Sequence, residues 1–338
     1  MSIVIGWDIG GVHLKAACAE RGRITKAAQY AAPLRSGTEL LVRAFAQARA
    51  DMGPADRNVV TMTGELADTF ASREHGVEEL SQLAARELGT VSIYAGRAGY
   101  LSPDAARRHS TDVASANWHA CAALTAGKCN NALFMDLGST TTDIVPIVGG
   151  KIAAHGYTDA QRLAAGELVY TGLVRGFVMA AAPRAPFRGA WTPLINENFA
   201  TMADIHRILG TLPAGVDLMA TTDGREKTVE ASRVRLARML GSDAADADDA
   251  TWTALARWFA EAQVRAIADA AALVMSGCAV NSTVPIVAAG IGLDIIAEIA
   301  RRLGCAFATF DTLLDVVPEA SAAACHCAPA AALAALAS

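Results

Sequence analysis

Two segments of the chain follow one pattern. VIGWDIGGVHLKAA begins at Val4, and LFMDLGSTTTDIVPI runs from Leu133 to Ile147. Each is an apolar strand that ends in Asp, a hydrophobe and Gly, passes through a polar turn and becomes apolar again. Glycine lets the backbone bend tightly and brings N–H groups close to an anion. One such turn is a common β-turn. Two in matching strand contexts place two glycine turns, one per lobe, across a cleft.

The residues within these turns suit phosphate. Gly10, Gly11 and Gly138 free the backbone, while Lys15, Ser139, Thr140, Thr141 and Thr142 supply donors that phosphate oxygens accept. Asp8 and Asp136 end the strands and suit a hydrated Mg2+, which prefers one or two carboxylates plus phosphate and water. A third glycine turn, Gly290 and Gly292 in IVAAGIGLDIIAEIA, follows a strand and opens a helix, where an anion or nucleotide is also held.

Between these turns, helical and strand patterns alternate, which predicts α/β layers. Three strands open the chain; GTELLVRAFAQARADM and VEELSQLAARELG read as helices, NVVTMTG and VSIYAG as strands, and SANWHACAALTAG as the helix leading to the second turn. Gly149-Gly150 reads as a two-residue hairpin turn. AQRLAAGELVYTGLVRGF reads as helix, APRAPFRGAWTPLINENF as proline-broken loop, and residues 252–276 as a long helix capped by Asp249 or Thr251.

With 338 residues the chain has room for two cores. A net charge of −5 gives no electrostatic footprint for nucleic acid. No apolar run approaches a membrane span, and the N-terminus reads as a strand with no basic leader, so a cytoplasmic protein is expected. Cys325-His326-Cys327 lies in an alanine-rich helical pattern without a second ligand pair, so its thiols read as packing groups. The alanine-rich helices at 252–276 and 292–303 could serve an interface between copies as well as a core.

The three turns, in this order, resemble the actin, Hsp70 and sugar kinase superfamily. That resemblance implies two RNase H-like lobes, residues 1–130 and 131–338, with a helical insertion near 175–250 and a C-terminal helix that crosses back. VVTMTGELADTFASREHGVEEL, ASANWHA, FMDLGSTTTDIVPI, GYTDAQRLAAGELVYTG and FATMADIHRILG resemble one branch, related to hydantoinase/oxoprolinase proteins, that acts in methanofuran biosynthesis and supports tetrahydromethanopterin-linked one-carbon metabolism. The resemblance implies a transferase. The phenol oxygen of γ-glutamyltyramine displaces diphosphate from (5-(aminomethyl)furan-3-yl)methyl diphosphate, with Mg2+ and without ATP. Asp8, Asp143, Glu65 and Glu167 are the candidate bases, and Asn117 and Arg162 the candidate substrate contacts. The alternative is an ATP-dependent small-molecule kinase or a hydantoinase-like hydrolase on the same fold.

Overall fold

The computed structural model describes residues 2–278 and 283–338. β1 (Ile3–Ile9), β2 (His13–Glu20) and β3 (Arg23–Ala31) form an antiparallel meander. Helices Glu39–Met52 and Arg73–Leu88 then carry the chain to β4 (Arg57–Met62) and β5 (Val91–Tyr94), which join in parallel, and β6 (Tyr100–Leu101) closes the edge. The second lobe repeats the plan. β7 (Ala132–Leu137) pairs antiparallel with β8 (Thr142–Val148), and β8 with β9 (Lys151–Ile152) and β10 (Leu168–Val169).

β11 (Arg184–Phe187) and β12 (Ala190–Pro193) form a separate hairpin. β13 (Ile286–Gly290) returns to lie parallel beside β7, with β14 (Phe307–Thr309) at the edge. The result is the two-lobed α/β fold of the actin, Hsp70 and sugar kinase type.

Strand parity positions the chemistry. Successive side chains of a strand point to opposite faces. In β1, Ile5, Trp7 and Ile9 pack beneath Leu41, Phe45, Val77 and Leu80, which leaves Val4, Gly6 and Asp8 on the other face. In β7, Leu133, Met135 and Leu137 pack with Ile267 and Ile296, which leaves Phe134 and Asp136 opposite. One continuous cluster joins the inner faces, with Val4, Phe134, Val145 and Ile147 around Trp118 and Leu333. Asp8 and Asp136 therefore sit on the faces that the sheets turn toward each other, as do Lys15 and Asp143 by the same parity in β2 and β8.

The C-terminal helix Ala328–Leu336 lies on the inner face of the first sheet. Its alanines permit close approach: a Cβ built on Gly6 would lie 2.0 Å from the Ala330 carbonyl oxygen and 2.8 Å from the Ala334 nitrogen.

Three local expectations need correction. The helix expected through 160–177 is only Asp159–Ala165, because Gly166 takes the left-handed conformation (φ 74°) that stops it. The stretch read as loop holds the β11–β12 hairpin, whose turn is Arg188-Gly189 with both φ values positive (51° and 83°). The long helix is Asp249–Gly277, capped by Asp248, whose carboxylate accepts the Thr251 N–H at 2.8 Å. The Gly149-Gly150 hairpin is present between β8 and β9. Among the described residues no helix is long and apolar enough to cross a membrane.

Gly6→Ala should expel the C-terminal helix from its seat and destabilise the fold by about 3 kcal/mol, the upper range for overpacking. Urea unfolding read by circular dichroism would show this, and an unchanged midpoint would contradict the packing described.

Candidate functional site

The two polar turns are built alike. The Gly10 N–H donates to the His13 carbonyl at 2.9 Å, and the Gly138 N–H to the Thr141 carbonyl at 2.9 Å. Each bond closes a turn whose tip (Gly11 and Val12, or Ser139 and Thr140) lines a cleft of about 380 Å³ between the lobes. Gly10 and Gly138, read as phosphate donors, thus spend their N–H groups on the turns themselves.

Each tip also anchors an arginine. The Gly11 carbonyl accepts the Leu34 N–H at 3.0 Å, which brings the adjacent Arg35 to the cleft. The Ser139 carbonyl accepts the Arg175 N–H at 2.8 Å. Gly172 makes this docking possible, since a Cβ there would lie 2.5 Å from the Thr140 nitrogen. Arg175 reaches Thr140 Oγ1 at 3.4 Å, and neither Arg35 nor Arg175 forms an ion pair among the described residues. Burial lowers the pKa of Arg175, and the nearby Arg35 charge lowers it further. His13, buried beside the first turn, is held near pKa 4 by burial and by the Lys15 and Arg175 charges, so it is neutral. This end of the cleft is an unsatisfied cationic pole.

The floor is acidic. Asp8 stands opposite Lys15 in the β1–β2 register, and the Lys15 ammonium lies 3.7 Å from its Oδ2 while Oδ1 is buried without a partner. Asp136 stands opposite Asp143 in the β7–β8 register. Burial pushes Asp136 up to about 7; Lys15 opposes the shift, and Asp143 and Asp8 add to it. Asp143 is also raised by burial, against Arg162, whose Nη1 donates to Oδ1 at 2.7 Å. A divalent cation fits this donor set. Among the described residues Asp8 has an oxygen without a partner and Asp136 no ion pair, and Mg2+ needs only one or two carboxylates beside phosphate and water. Among the described residues no group of three or more metal-capable side chains exists, so a cation here would depend on its ligand's oxygens.

Several expected residues do other work. Arg162, the candidate substrate contact, lines the cleft but is itself buried, bonds Asp143 and the Glu167 carbonyl (2.8 Å), and stacks 4.2 Å over the Trp118 ring. Glu167, expected as a base, accepts the His155 N–H at 2.6 Å and the Gly156 N–H at 2.9 Å, and lies off the cleft wall. Thr142 donates its hydroxyl to the Thr171 carbonyl at 2.8 Å and is buried. Gly290 and Gly292 are packing glycines. The Ile291 and Gly292 N–H groups donate to the Leu137 carbonyl at 2.9 and 3.1 Å, and a Cβ on Gly290 would lie 2.4 Å from Asp136 Oδ1.

Asn117 lines the cleft, and its Oδ1 accepts the Trp118 N–H at 2.7 Å. Ser139 and Thr141 line it as well. Arg35 and His326 were missed as site residues. Arg35 sits in a short 3-10 turn, Leu34–Ser36, with no motif around it, and His326 reads as part of a packing triplet; Cys325 and Cys327 are buried, but His326 lines the cleft.

Glu65 lies behind the wall. Its Oε1 accepts the Ser115 hydroxyl at 3.0 Å, Oε2 has no partner, and burial raises its pKa from 4.5 to about 7. Between those values the unfolded chain releases a proton that the folded chain retains, so this group's contribution to stability falls as pH rises from 4.5 to 7. Glu65→Gln should therefore match the wild type at pH 4 and exceed it at pH 8 by about 1–3 kcal/mol. Urea midpoints at the two pH values check this, and equal shifts at both would contradict a buried acid.

The comparisons with known proteins are consistent with this architecture. A protein of Methanocaldococcus jannaschii named (4-{4-[2-(gamma-L-glutamylamino)ethyl]phenoxymethyl}furan-2-yl)methanamine synthase is 34% identical over 190 residues, 56% of this chain and 57% of that protein. A Methanococcus vannielii protein of the same name is 36% identical over 113 residues, 33% of this chain and 50% of the relative. The matches thus span about half the length of these curated relatives. Nucleotide-free acetone carboxylase shares the fold with a TM-score of 0.61 at 12% identity, over 97% of this chain and 70% of that one. The hydantoinase/oxoprolinase family model matches residues 56–337, most of the chain, and the chain accordingly belongs to that family.

Proposed function

We propose that the cleft binds a small-molecule diphosphate and transfers its carbon to a phenol oxygen, forming the aryl ether of methanofuran biosynthesis. The observation that carries this reading is the pair of matched turns with Arg35 and Arg175 unpaired beside their tips. Two guanidiniums at closed turn tips, without ion pairs among the described residues, suit an anion with many oxygens, because Arg presents a planar fork to phosphate. The relatives' names describe a phenoxymethyl link to a furan, which is the bond such a transfer would make.

In the proposed reaction the phenol oxygen of γ-glutamyltyramine bonds to the furylmethyl carbon. The carbon–oxygen bond to diphosphate breaks, and the phenolic proton passes to a carboxylate. Asp143 suits that last role. Arg162 fixes its Oδ1, while Oδ2 accepts no hydrogen bond among the described residues. A phenol with a pKa of about 10 needs such help. Arg35, Arg175 and the turn tips would receive the charge that develops on the leaving group, where preorganised donors stabilise most. Mg2+ bound by Asp8 and Asp136 would neutralise part of that charge. The third turn counts against the kinase alternative, since two of its N–H groups are already bonded to Leu137.

The purified protein, given Mg2+, the furan diphosphate and γ-glutamyltyramine, should yield the ether and stoichiometric diphosphate by mass spectrometry without ATP. ADP from ATP with no ether would overturn the reading. Asp143→Asn or Asp8→Asn should lower turnover by about 100- to 10,000-fold with the fold intact. Lys15→Ala should mainly weaken diphosphate binding.

A further inference from the structure

Beside the cleft lies a second cavity of about 330 Å³, beneath the Gly290 turn. Ile291 and His326 line both spaces, so the two share a wall. The cavity's body is apolar, with Leu173, Leu209, Val264 and Leu293 among its walls. The polar group at its back is self-satisfied: His206 Nδ1 pairs with Thr211 Oγ1 at 2.9 Å and Nε2 with Gln263 Oε1 at 2.9 Å. Burial lowers the His206 pKa and so disfavours its cationic form. Neither lysine nor arginine lines the cavity.

Two carboxylates do, Asp294 and Glu298. Glu298 is taken by Arg301 at 2.7 Å and by Arg302 at 2.7 Å. Asp294, in the first turn of helix Leu293–Leu303, is exposed and forms no ion pair among the described residues. Charge is thus divided between two spaces that meet at Ile291 and His326: arginines without ion pairs among the described residues in the cleft, and in the adjoining apolar chamber a carboxylate, Asp294, likewise without one.

A ligand that satisfies all three is dipolar, with phosphate at one end, a small flat ring in the middle and a cation at the other. Adenosine phosphates offer the first two and no cation. The substrate of the proposed reaction offers all three, because its furan carries a diphosphate on one arm and an aminomethyl group, protonated at neutral pH, on the other.

We propose that this apolar cavity seats the furan ring and that Asp294 pairs with its ammonium, selecting the aminated furan; this rests on the transferase reading above. His326, at the shared wall, then lies beside the ring, and its side chain has no hydrogen-bond partner among the described residues.

The test compares the aminomethyl substrate with an analogue carrying a methyl group in place of the aminomethyl arm, on wild type and Asp294→Asn. Wild type should prefer the amine by about 2- to 5-fold in kcat/KM, the scale of one solvent-exposed ion pair. Asp294→Asn should erase that preference by raising KM for the amine alone, with the KM for γ-glutamyltyramine and inhibition by inorganic diphosphate unchanged. Val264→Phe, which fills the chamber, should raise KM for both furans while leaving inhibition by inorganic diphosphate unchanged. Ether formation with the same discrimination in wild type and Asp294→Asn would overturn this inference and leave the transferase reading standing. No ether from either furan with wild type would overturn both.

Discussion

Asp136 and Asp143 face each other across one antiparallel ladder, and both are buried. Like charges directly opposite destabilise a sheet, and burial makes each charge costlier still. Much of the site can be read as the answer to that conflict. Arg162 neutralises Asp143 and is itself held on Trp118 and the Glu167 carbonyl. The Glu167 side chain in turn binds two N–H groups of the loop that follows β9. Removing Arg162 would leave Asp143 buried and unpaired, the kind of loss that costs about 3–5 kcal/mol. Asp136 receives no such partner. Burial above all, with Asp143 and Asp8 adding to it and Lys15 opposing, raises its pKa to about 7, a cost that a bound cation would relieve.

The two lobes solve one geometric problem twice. A glycine N–H closes each turn, the tip carbonyl accepts an N–H from a segment bearing an arginine, and the strand before the turn ends in an inward aspartate. The lobes differ in how they compensate that aspartate. In the first, Lys15 comes from the opposing strand position. In the second, that position holds another acid, Asp143, and compensation arrives from the helix Asp159–Ala165. The pseudo-symmetry therefore breaks at one residue, Lys15 in one hairpin against Asp143 in the other. That break gives the cleft its acidic side.

The strands, the turns and their inward aspartates were legible because period-2 burial and glycine turns are local signals. Residues set by tertiary contact were not. Arg162 reads as a substrate contact, yet its place is set by bonds to Asp143 on β8 and to the Glu167 carbonyl just before β10, partners that no local pattern announces. Glu167 follows a glycine at what resembles a helix start, yet Gly166 ends the helix and sends that side chain into backbone donors. Arg35 has no motif around it; its place depends on one hydrogen bond from Leu34 to the Gly11 carbonyl. Gly290 and Gly292 were found as special glycines, but their constraint is contact with β7 and not space for an anion.

That last difference bears on what the fold can do here. A turn that held phosphate would need its N–H groups directed outward, whereas those of Ile291 and Gly292 converge on the Leu137 carbonyl. This ties the third turn to the end of β7, so the wall between cleft and apolar cavity is fixed to the strand that carries Asp136. In the proposed reading anion binding then falls to the first two turns and their arginines, and the space beyond the third to an apolar group. A cleft divided in this way separates the charged part of a ligand from its ring. In the proposed transfer the bond that breaks lies at that boundary, where donors on one side receive the departing charge and the apolar chamber on the other holds water away from an electron-poor carbon.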